Sequence, residues 1–294
     1  MNLKYIILLI LFLGICAYAG ISVYIASVLT KANPTPLKLD KKAIGDKVAD
    51  VVFRATDNAQ LAGWFYQGTN GKVIMFVHGA GDQNRVNEVY GTPEIAKHFY
   101  DEGYSLLLFD LRGIGESEKT RLSFGQYEAN DVAGAYNYLV KLEYKPENIG
   151  IISDSLGAIS TIMAAESVKG AGAIVLDSPA KKVTDIISNI MVKDKNVPRF
   201  MHPGIFLAAK LVYRIDVESI RPIDKITVLD KTPLLFLHGG ADDLINPKDS
   251  EEMASMVHNA KRIEFPEIGH VQTYVKDPVG YLRAVDEFFD DNLK

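Results

Sequence analysis

From Asn148 to Ser160 the sequence reads Asn-Ile-Gly-Ile-Ile-Ser-Asp-Ser-Leu-Gly-Ala-Ile-Ser. The run Ile149 to Ile152 is short, apolar and mostly β-branched, which is typical of a parallel strand buried on both faces. From Ala158 onward, small and apolar residues recur at helical spacing. The sequence therefore predicts a strand that turns directly into a helix, with Ser155 on the turn.

The turn at Ser155 has small residues where a nucleophile elbow needs them. The backbone of such an elbow doubles back and holds the serine at strained dihedral angles, so the residues two before and two after it must be small. Those residues are Ser153 and Gly157, and Ser153 is a mild departure from the usual G-x-S-x-G pattern. A serine-rich loop before an ordinary helix is the alternative interpretation of these five residues.

The composition limits the classes of protein to which this chain can belong. A chain of 294 residues, 48% of them hydrophobic, is long enough for one large α/β domain or for two smaller domains. The net charge of −5 and the lack of a lysine- or arginine-rich run argue against nucleic-acid binding, which depends mostly on phosphate neutralisation. The single cysteine, Cys16, lies in an N-terminal apolar run, so we expect neither a disulfide nor a cysteine metal site in the folded part.

Residues 1–30 are predicted to form a membrane anchor. Residues 5–29 carry no charge, and as a helix they would extend about 37 Å, against about 30 Å for the hydrocarbon core of a bilayer. A cleaved signal peptide is the alternative, with Ala17-Tyr18-Ala19 as its cleavage site. Because the apolar residues continue to Leu29, which a removed peptide does not need, the uncleaved single-pass anchor is favoured.

The side of the membrane on which the rest of the chain lies is less well determined. The lysines after the apolar run favour a domain kept inside, whereas a short N-terminal tail is typical of anchors that export the domain attached to them. We expect the folded domain on the extracytoplasmic side. A polar linker over residues 31–47, begun by Asn33-Pro34-Thr35-Pro36, is predicted between anchor and domain.

Residues 48–294 are predicted to form one domain. Buried strand patterns alternate with helical patterns, which indicates a mostly parallel sheet with helices on both faces. An antiparallel hairpin, Val51 to Phe53 with Leu61 to Tyr66, comes first. Between about residues 178 and 231 no strand pattern occurs, and two helical patterns there predict a cap over the carboxyl edge of the sheet, where ligands bind. Four cap residues either line an apolar acyl pocket or pack as core: Phe200, Met201, Phe206 and Leu207.

The predicted elbow requires two partners, because a serine hydroxyl becomes a nucleophile when a histidine takes its proton and a carboxylate orients that histidine. Among six histidines, His270 comes after the last predicted strand, in a loop that can lean over the sheet edge. Asp242 lies just past a buried strand, and its rivals for the role of the acid are Asp243 and Asp177. The predicted catalytic residues are therefore Ser155, Asp242 and His270.

Two backbone amides are predicted to form an oxyanion hole for the tetrahedral intermediate. Leu156 offers the first amide, directly after the serine. Ala80 offers the second, because Gly79 and Gly81 on either side of it let the backbone approach a substrate closely.

The loop Gly113-Ile114-Gly115 is predicted to be a structural turn. A dinucleotide-binding turn needs a third glycine at a fixed spacing, and this loop lacks it. Within the turn we expect Arg112 to pair with Asp110.

Taken in order, these motifs resemble the α/β-hydrolase family, and more narrowly its membrane-anchored, Bem46-like serine hydrolases. The resemblance covers about residues 48–293 and rests on five motifs: His78-Gly79, Asp110 to Ser117, the elbow at Ser155, Asp242 in the His238-Gly239 loop, and Gly269-His270. It implies the α/β-hydrolase fold and hydrolysis of small acyl esters, thioesters or amides through an acyl-enzyme on Ser155, with no metal or organic cofactor.

Two alternatives to an esterase stay open at this point. A serine peptidase or amidase would use the same three residues. A non-catalytic binding protein that kept the fold is disfavoured, because no member of the triad is missing.

Overall fold

A single twisted sheet forms the centre of the domain. The computed structural model describes residues 2–80, 84–193 and 195–294, and within these ranges the sheet has eight strands. The strands are β1 (Val48–Arg54), β2 (Gln60–Tyr66), β3 (Val73–Val77), β4 (Ser105–Phe109), β5 (Ile149–Asp154), β6 (Ala173–Asp177), β7 (Leu234–Gly239) and β8 (Ala260–Phe265). They lie in the order β1-β2-β4-β3-β5-β6-β7-β8.

The sheet is mostly parallel, as predicted. β2 is antiparallel to both β1 and β4, and all other neighbours run parallel. The predicted hairpin is the β1–β2 pair, in which Val51 lies opposite Gly63. Because β3 and β5 to β8 run in one direction, the loops after them meet at one edge of the sheet.

Helices cover both faces of the sheet. They are α1 (Leu3–Leu29), α2 (Thr92–Asp101), α3 (Glu128–Lys141), α4 (Leu156–Met163), α5 (Ala165–Val168), α6 (Val183–Lys193), α7 (His202–Tyr213), α8 (Pro247–Ser255), α9 (Thr273–Lys276) and α10 (Pro278–Asn292). Residues of α3, α4, α5 and α8 pack in the core on one face, and residues of α2 and α10 pack on the other. The central strand β5 is therefore buried from Ile149 to Ser153, which explains its unbroken apolar run.

The chain between β6 and β7 is helical where the sequence predicts a cap, and we call this part of the chain the cap. In the described part of residues 178–233 it contains α6, α7 and short 3₁₀ turns, and no strand. The cap has an apolar cluster of its own, to which α6 contributes Val183, Ile187 and Met191 and α7 contributes Ile205 and Ala208. This cluster sits over the carboxyl edge of the sheet through Ile159 of α4 and Ile245 after β7.

The N-terminal helix α1 is exposed along its first half and packs on the cap along its second half. Ser22 and Ala26 are buried, whereas nearly all residues from Leu3 to Ala17 are exposed. In the part of the chain that the structure describes, α1 is the one helix long and apolar enough to cross a membrane.

Residues 31–47 lie against the domain. Ile44 is buried in the core shared with α2 and α10, and Leu37 and Leu39 pack on the same core. The hydroxyl of Tyr66 donates a hydrogen bond to the carbonyl of Lys41 (2.9 Å). Apolar contacts and a buried tyrosine therefore hold this segment to the domain.

Candidate active site

The turn between β5 and α4 has the geometry of a nucleophile elbow. Ser155 has φ of 49° and ψ of −114°, a conformation that L residues rarely adopt. A Cβ atom added at Gly157 would lie 2.0 Å from the carbonyl oxygen of Val77, so the tight turn requires glycine there. Ser153 is fully buried and its hydroxyl donates to the carbonyl of Val175 (3.0 Å). The departure from the usual pattern therefore fits the turn.

The structure brings the three residues predicted from sequence into one hydrogen-bonded line. His270 Nδ1 is 2.7 Å from Asp242 Oδ2, and His270 Nε2 is 2.9 Å from Ser155 Oγ. An ionised carboxylate only accepts hydrogen bonds, so Nδ1 carries the proton and Nε2 is left to accept the serine proton. His270 is therefore placed to act as a general base on the hydroxyl of Ser155.

The loop after β7 holds Asp242 ionised. Burial alone would raise the pKa of its carboxyl, but hydrogen bonds from His238 and His270 outweigh burial and hold the pKa well below its usual range. The amides of Leu244 and Ile245 donate to its other oxygen at 3.0 and 2.9 Å. A carboxylate with its acceptor sites filled in this way stays charged behind the histidine at neutral pH.

His238 is a second histidine on Asp242 that the sequence did not reveal. Its Nε2 is 3.3 Å from Asp242 Oδ2 and 3.2 Å from the carbonyl of Ile245, and its side chain is fully buried. Both neighbours are acceptors, so Nε2 carries the proton. Because His238 precedes a glycine at a strand end, the sequence favours a turn-forming role for it; its i, i+4 spacing to Asp242 was the signal for this contact.

Asp177 and Asp243 are the two alternative candidates for the catalytic acid. Asp177, at the end of β6, is buried, and its Oδ1 accepts from the hydroxyl of Ser178 (2.9 Å). Asp243 is exposed, and its carbonyl accepts from Lys193 Nζ (3.1 Å). Neither carboxylate has a hydrogen bond to His270 among the described contacts, which favours Asp242 as the acid.

Asp154, beside the serine, is a further residue whose importance is seen only in the structure. Its Oδ2 accepts from the amide of Gly79 (2.9 Å), in the loop after β3, and its position on β5 is paired with that of Asp177 on β6. Both carboxyls line a cavity of about 30 Å³ that also includes Tyr90 and Tyr281. Burial, together with the neighbouring Asp177, raises the pKa of Asp154 to about 7.

We expect Asp154→Asn to flatten the pH dependence of stability. Because the folded-state pKa lies near 7 and the unfolded value near 4, the folded protein keeps a proton between these values that the unfolded chain has lost. Stability from this group is therefore full below about pH 4 and is lost as pH rises through 7, by on the order of 1 kcal/mol per pH unit. Asparagine keeps an acceptor for Gly79 and has no proton to lose.

Thermal unfolding of the full-length chain in detergent, from pH 5 to pH 8, measures this effect. The melting temperature of the unmodified protein should fall with pH relative to that of Asp154→Asn. Asp243→Asn, at an exposed position, serves as the matched control and should keep the original pH dependence. Identical pH profiles for the Asp154 variant and the unmodified protein would contradict the assignment.

The two amides predicted for the oxyanion hole lie at the mouth of one cavity. Ala80 and Leu156 both line it together with Ser155. Neither amide donates a hydrogen bond within the residues that the structure describes. Free amides beside the serine suit an oxyanion that forms only during reaction. Gly81, the second glycine of this predicted loop, lies outside the described residues.

The cavity beside Ser155 is almost wholly apolar and has a volume of about 100 Å³. Ile186, Ile187 and Ile190 of α6 form its outer wall. None of the four cap residues considered from sequence as a pocket lining belongs to it: Phe200 and Leu207 are exposed, Met201 is buried in the cap cluster, and Phe206 packs against that cluster. This cavity lies against α6 instead of α7, so it does not support the acyl-pocket interpretation of those four residues.

The pairing predicted between Arg112 and Asp110 was also wrong. Asp110 points to the loop after β3, where it accepts from Arg85 Nε (3.1 Å) and Nη2 (2.6 Å). Arg112 points to α3 and to the β1–β2 turn, where it binds Asp131 and Asp57. The two side chains leave the loop in different directions, so both form buried ion pairs with distant parts of the chain.

His78 shapes the turn after β3. Its ring is buried, with Nδ1 2.7 Å from the carbonyl of Gly79 and Nε2 accepting from the amide of Leu111 (3.0 Å). Burial lowers the pKa of His78, so the ring is neutral and ties the loops after β3 and β4 together. Within the described ranges no group of three or more acidic, histidine or cysteine side chains is placed to hold a metal ion.

Comparison with protein families matches residues 68–227 to the family described as "Serine aminopeptidase, S33", which is more than half of the chain. The chain belongs to this family. Among curated relatives, the uncharacterized protein YqkD of Bacillus subtilis is 28% identical over 200 residues, which are 66% of this chain and 64% of YqkD. YfhR of Salmonella typhimurium, also uncharacterized, is 25% identical over 246 residues, or 80% of each chain. The first of these matches spans just under two thirds of the relative's length.

Solved structures of similar fold include esterases. The Pyrococcus furiosus esterase Pf2001 superimposes with a TM-score of 0.74 at 22% identity, over 90% of this chain and all of that one. A bacterial membrane phospholipase A superimposes with a TM-score of 0.61 at 15% identity, over 98% of each chain. The predicted α/β-hydrolase fold is confirmed. The apolar helix α1 is consistent with the membrane-anchored, Bem46-like group.

Proposed function

We propose that the protein hydrolyses carboxylic esters or thioesters through an acyl-enzyme on Ser155. The observation that supports this most is the hydrogen-bonded line from Ser155 Oγ through His270 to the ionised Asp242. His270 Nε2 takes the hydroxyl proton as Oγ attacks the acyl carbonyl, and the amides of Ala80 and Leu156 stabilise the oxyanion. The same nitrogen then gives the proton to the leaving alcohol or thiol.

In the second half of the reaction, water replaces the alcohol. His270 removes a proton from this water, hydroxide attacks the acyl carbon, and the proton returns to Ser155 Oγ as the acid leaves. The charge on Asp242 stabilises the imidazolium form of His270 in both halves. The chain's own side chains and amides are sufficient for each of these steps.

The apolar cavity supports an aliphatic acyl group as the substrate part bound beside Ser155. Its lining includes isoleucines of α6 and Phe124, and no charged side chain among the described residues lines it. A peptide or amide substrate is the second candidate, favoured by the description of the family. Assaying p-nitrophenyl esters of rising chain length beside aminoacyl amides distinguishes the two.

Ile186→Trp is expected to shift the acyl preference toward shorter chains. Ile186 lines the cavity and is partly exposed, so the larger ring fills the cavity with little disturbance of the core. Losing room for a few methylene groups changes selectivity by about 10- to 200-fold. The ratio of kcat/KM for the hexanoate and acetate esters of p-nitrophenol should fall by at least about tenfold.

Ile263→Trp is the matched control, because Ile263 lies on the partly exposed strand β8, outside the cavity lining. Its ester preference should equal that of the unmodified protein. If Ile186→Trp also leaves the preference unchanged, the acyl group binds elsewhere.

We propose further that residues 1–30 form a single-pass membrane anchor, with residues 31–47 as the connection and residues 48–294 as the catalytic domain with its cap at about 178–231. The exposed apolar first half of α1 supports this. In this proposal the catalytic domain lies on the extracytoplasmic side of the membrane. Alkaline washing of membranes tests the anchor, since an uncleaved span resists it and a cleaved signal leaves a protein that is released.

A further inference from the structure

The anchor helix α1 and the cap helix α7 lie side by side and run in the same direction. The hydroxyl of Tyr18 donates to the carbonyl of Phe200 (3.0 Å) and accepts from the amide of Gly204 (3.2 Å). At the other end of the contact, Arg121 binds the carbonyl of Ser27 (3.1 Å) and stacks on the ring of Tyr213, 4.0 Å from its centre. The start of α7 therefore lies nearest to the free half of α1.

The two helices pack closely against each other near Tyr18. A Cβ atom added at Gly204 would lie 2.4 Å from the Tyr18 ring and 2.7 Å from Ser22 Oγ. Ser22 and Ala26 continue the contact at four-residue spacing and are buried. α1 therefore packs closely on α7 of the cap.

The free part of α1 is too short to cross a bilayer. From Leu3 to Ala17 it has 15 residues before Tyr18 meets the cap, which extend about 22 Å at 1.5 Å per residue. The hydrocarbon core of a bilayer is about 30 Å thick, so about 20 helical residues are needed. If α1 spans, the turns containing Tyr18 and Ser22 lie within the apolar layer, and the start of α7 lies there with them.

The cap carries an exposed apolar surface at this level. Phe200 is 70% exposed, Leu207 55%, Leu211 72% and Val212 51%, and we call these four residues the cap face. Leu207 and Leu211 are four residues apart on one side of α7. An exposed apolar cluster of this kind costs free energy in water and marks an interaction site.

Charged residues border the cap face at both ends of α7. Lys210 and Arg214 are exposed toward the end of α7, away from the free half of α1. Arg199, next to Phe200, is exposed at the other end, and its long side chain can reach the phosphate groups while its methylene groups stay among apolar chains.

From this arrangement we infer that the cap face is immersed in the outer part of the membrane on which the protein is anchored. Continuity with α1 argues for lipid as the occupant, because the start of the face adjoins a helix that, as the proposed anchor, lies in lipid at the same depth. The inference rests on the proposed anchor for its premise and on the proposed esterase activity for its consequence. α6, which lies in the cap beside α7, walls the acyl cavity, so the ester would enter from the bilayer. The substrate class is then an amphiphilic, lipid-like ester.

Fluorescence quenching in vesicles tests the contact. In the full-length chain Cys16, the single cysteine, is changed to serine, and an environment-sensitive fluorophore is attached at Leu211→Cys. The vesicles contain phosphatidylcholine and phosphatidylglycerol, with a fraction of the lipids carrying a doxyl quencher on the acyl chain. Val140→Cys, also an exposed apolar residue but at the end of α3 near the opposite edge of the sheet, is the matched control.

The label at position 211 is expected to emit at shorter wavelength in vesicles and to be quenched by doxyl lipid at least several-fold more than the label at position 140. Equal, water-like emission and weak quenching at both positions would overturn the inference. Disulfide formation between two Leu211→Cys chains, without lipid quenching, would also overturn it, because a second copy would then cover the cap face.

An activity measurement separates this inference from the proposed function. The double variant Leu207→Glu with Leu211→Glu is expected to keep the activity on soluble p-nitrophenyl acetate and to lose about tenfold on a long-chain ester embedded in vesicles. Full activity on the embedded ester would overturn the membrane contact. If the unmodified protein hydrolyses neither ester, the proposed function fails, and the quenching result alone decides whether the cap face lies in lipid.

Discussion

Ser155→Ala is expected to abolish labelling by a fluorophosphonate probe and to reduce kcat by on the order of 10⁴-fold or more. Only a hydroxyl with a base beside it reacts with such a probe at neutral pH, and His270 Nε2 lies 2.9 Å from Ser155 Oγ. The alanine variant keeps the turn, since its side chain is smaller than serine. Gel fluorescence of the labelled chain and the initial rate on a soluble ester are the two measurements.

Ser153→Ala is the matched control for this experiment. Ser153 lies on the same turn, but its hydroxyl is buried and donates to the carbonyl of Val175. Its variant should be labelled at the normal rate, although the lost hydrogen bond costs about 1 kcal/mol of stability. Persistent labelling of Ser155→Ala, or a probe adduct mapped to Ser153, would refute the role proposed for Ser155.

The elbow could be predicted from sequence because every determinant of it is local. The apolar run of β5, the small residue Gly157 and the helical spacing after Ala158 all lie within a few residues of Ser155. The position of His270 came from one further rule, that chain segments leaving parallel strands meet at one edge of the sheet. The same rule indicated an acid near this edge, and the choice of Asp242 rested on its place as the third residue after Gly239, the spacing of the family that the sequence resembles. Both kinds of inference need no knowledge of side-chain packing.

Apart from the missed contact between His238 and Asp242, the errors and omissions concern contacts between segments far apart in the chain. Asp110 binds Arg85, 25 residues earlier, and Asp154 accepts from Gly79, 75 residues earlier. No periodic pattern records such pairs, since each depends on how the loops fold over the sheet edge. Arg112 was assigned to its nearest acidic neighbour for lack of any other signal.

The sequence of α1 contains a pattern that indicates packing on protein, although its overall hydropathy does not show it. Tyr18, Ser22 and Ala26 succeed one another at four-residue spacing and are the less lipophilic residues of one helical face. In an otherwise apolar helix, small and hydroxyl-bearing residues on one side are typical of a helix that packs closely on protein. The contact partner, α7, could not be read from the sequence.

Asp242→Asn is expected to reduce kcat by up to about 10⁴-fold. The amide nitrogen of asparagine would face His270 Nδ1 and favour the tautomer with its proton on Nε2, so the ring could no longer accept the serine proton. The amide oxygen can still accept from the amides of Leu244 and Ile245, which hold the loop. Steady-state kinetics, with a melting curve to establish folding, measures the effect.

Asp243→Asn and Asp177→Asn are the two comparison variants. Asp243 is exposed and its carboxylate has no contact with His270 among the described residues, so its variant should retain kcat within about twofold. Asp177 is the sharper comparison, because it is buried at the end of the neighbouring strand. Burial raises the pKa of Asp177 to about 6. The neutral amide of asparagine resembles the protonated form of Asp177. The variant Asp177→Asn should therefore lose at most about tenfold in kcat.

The surroundings of Asp242 and Asp177 differ, so we expect a large loss of kcat for Asp242→Asn and a small loss for Asp177→Asn. Asp242 receives hydrogen bonds from His238, His270 and two amides, which keep it charged at neutral pH, where the imidazolium of His270 needs a negative partner. Asp177 receives one from Ser178, and its burial, together with the charge of Asp242, opposes its ionisation. A crippling loss in Asp177→Asn together with near-normal kcat in Asp242→Asn would place the acid one strand closer to Ser155. The large loss confined to Asp242→Asn would place it after β7, where the loop holds it ionised.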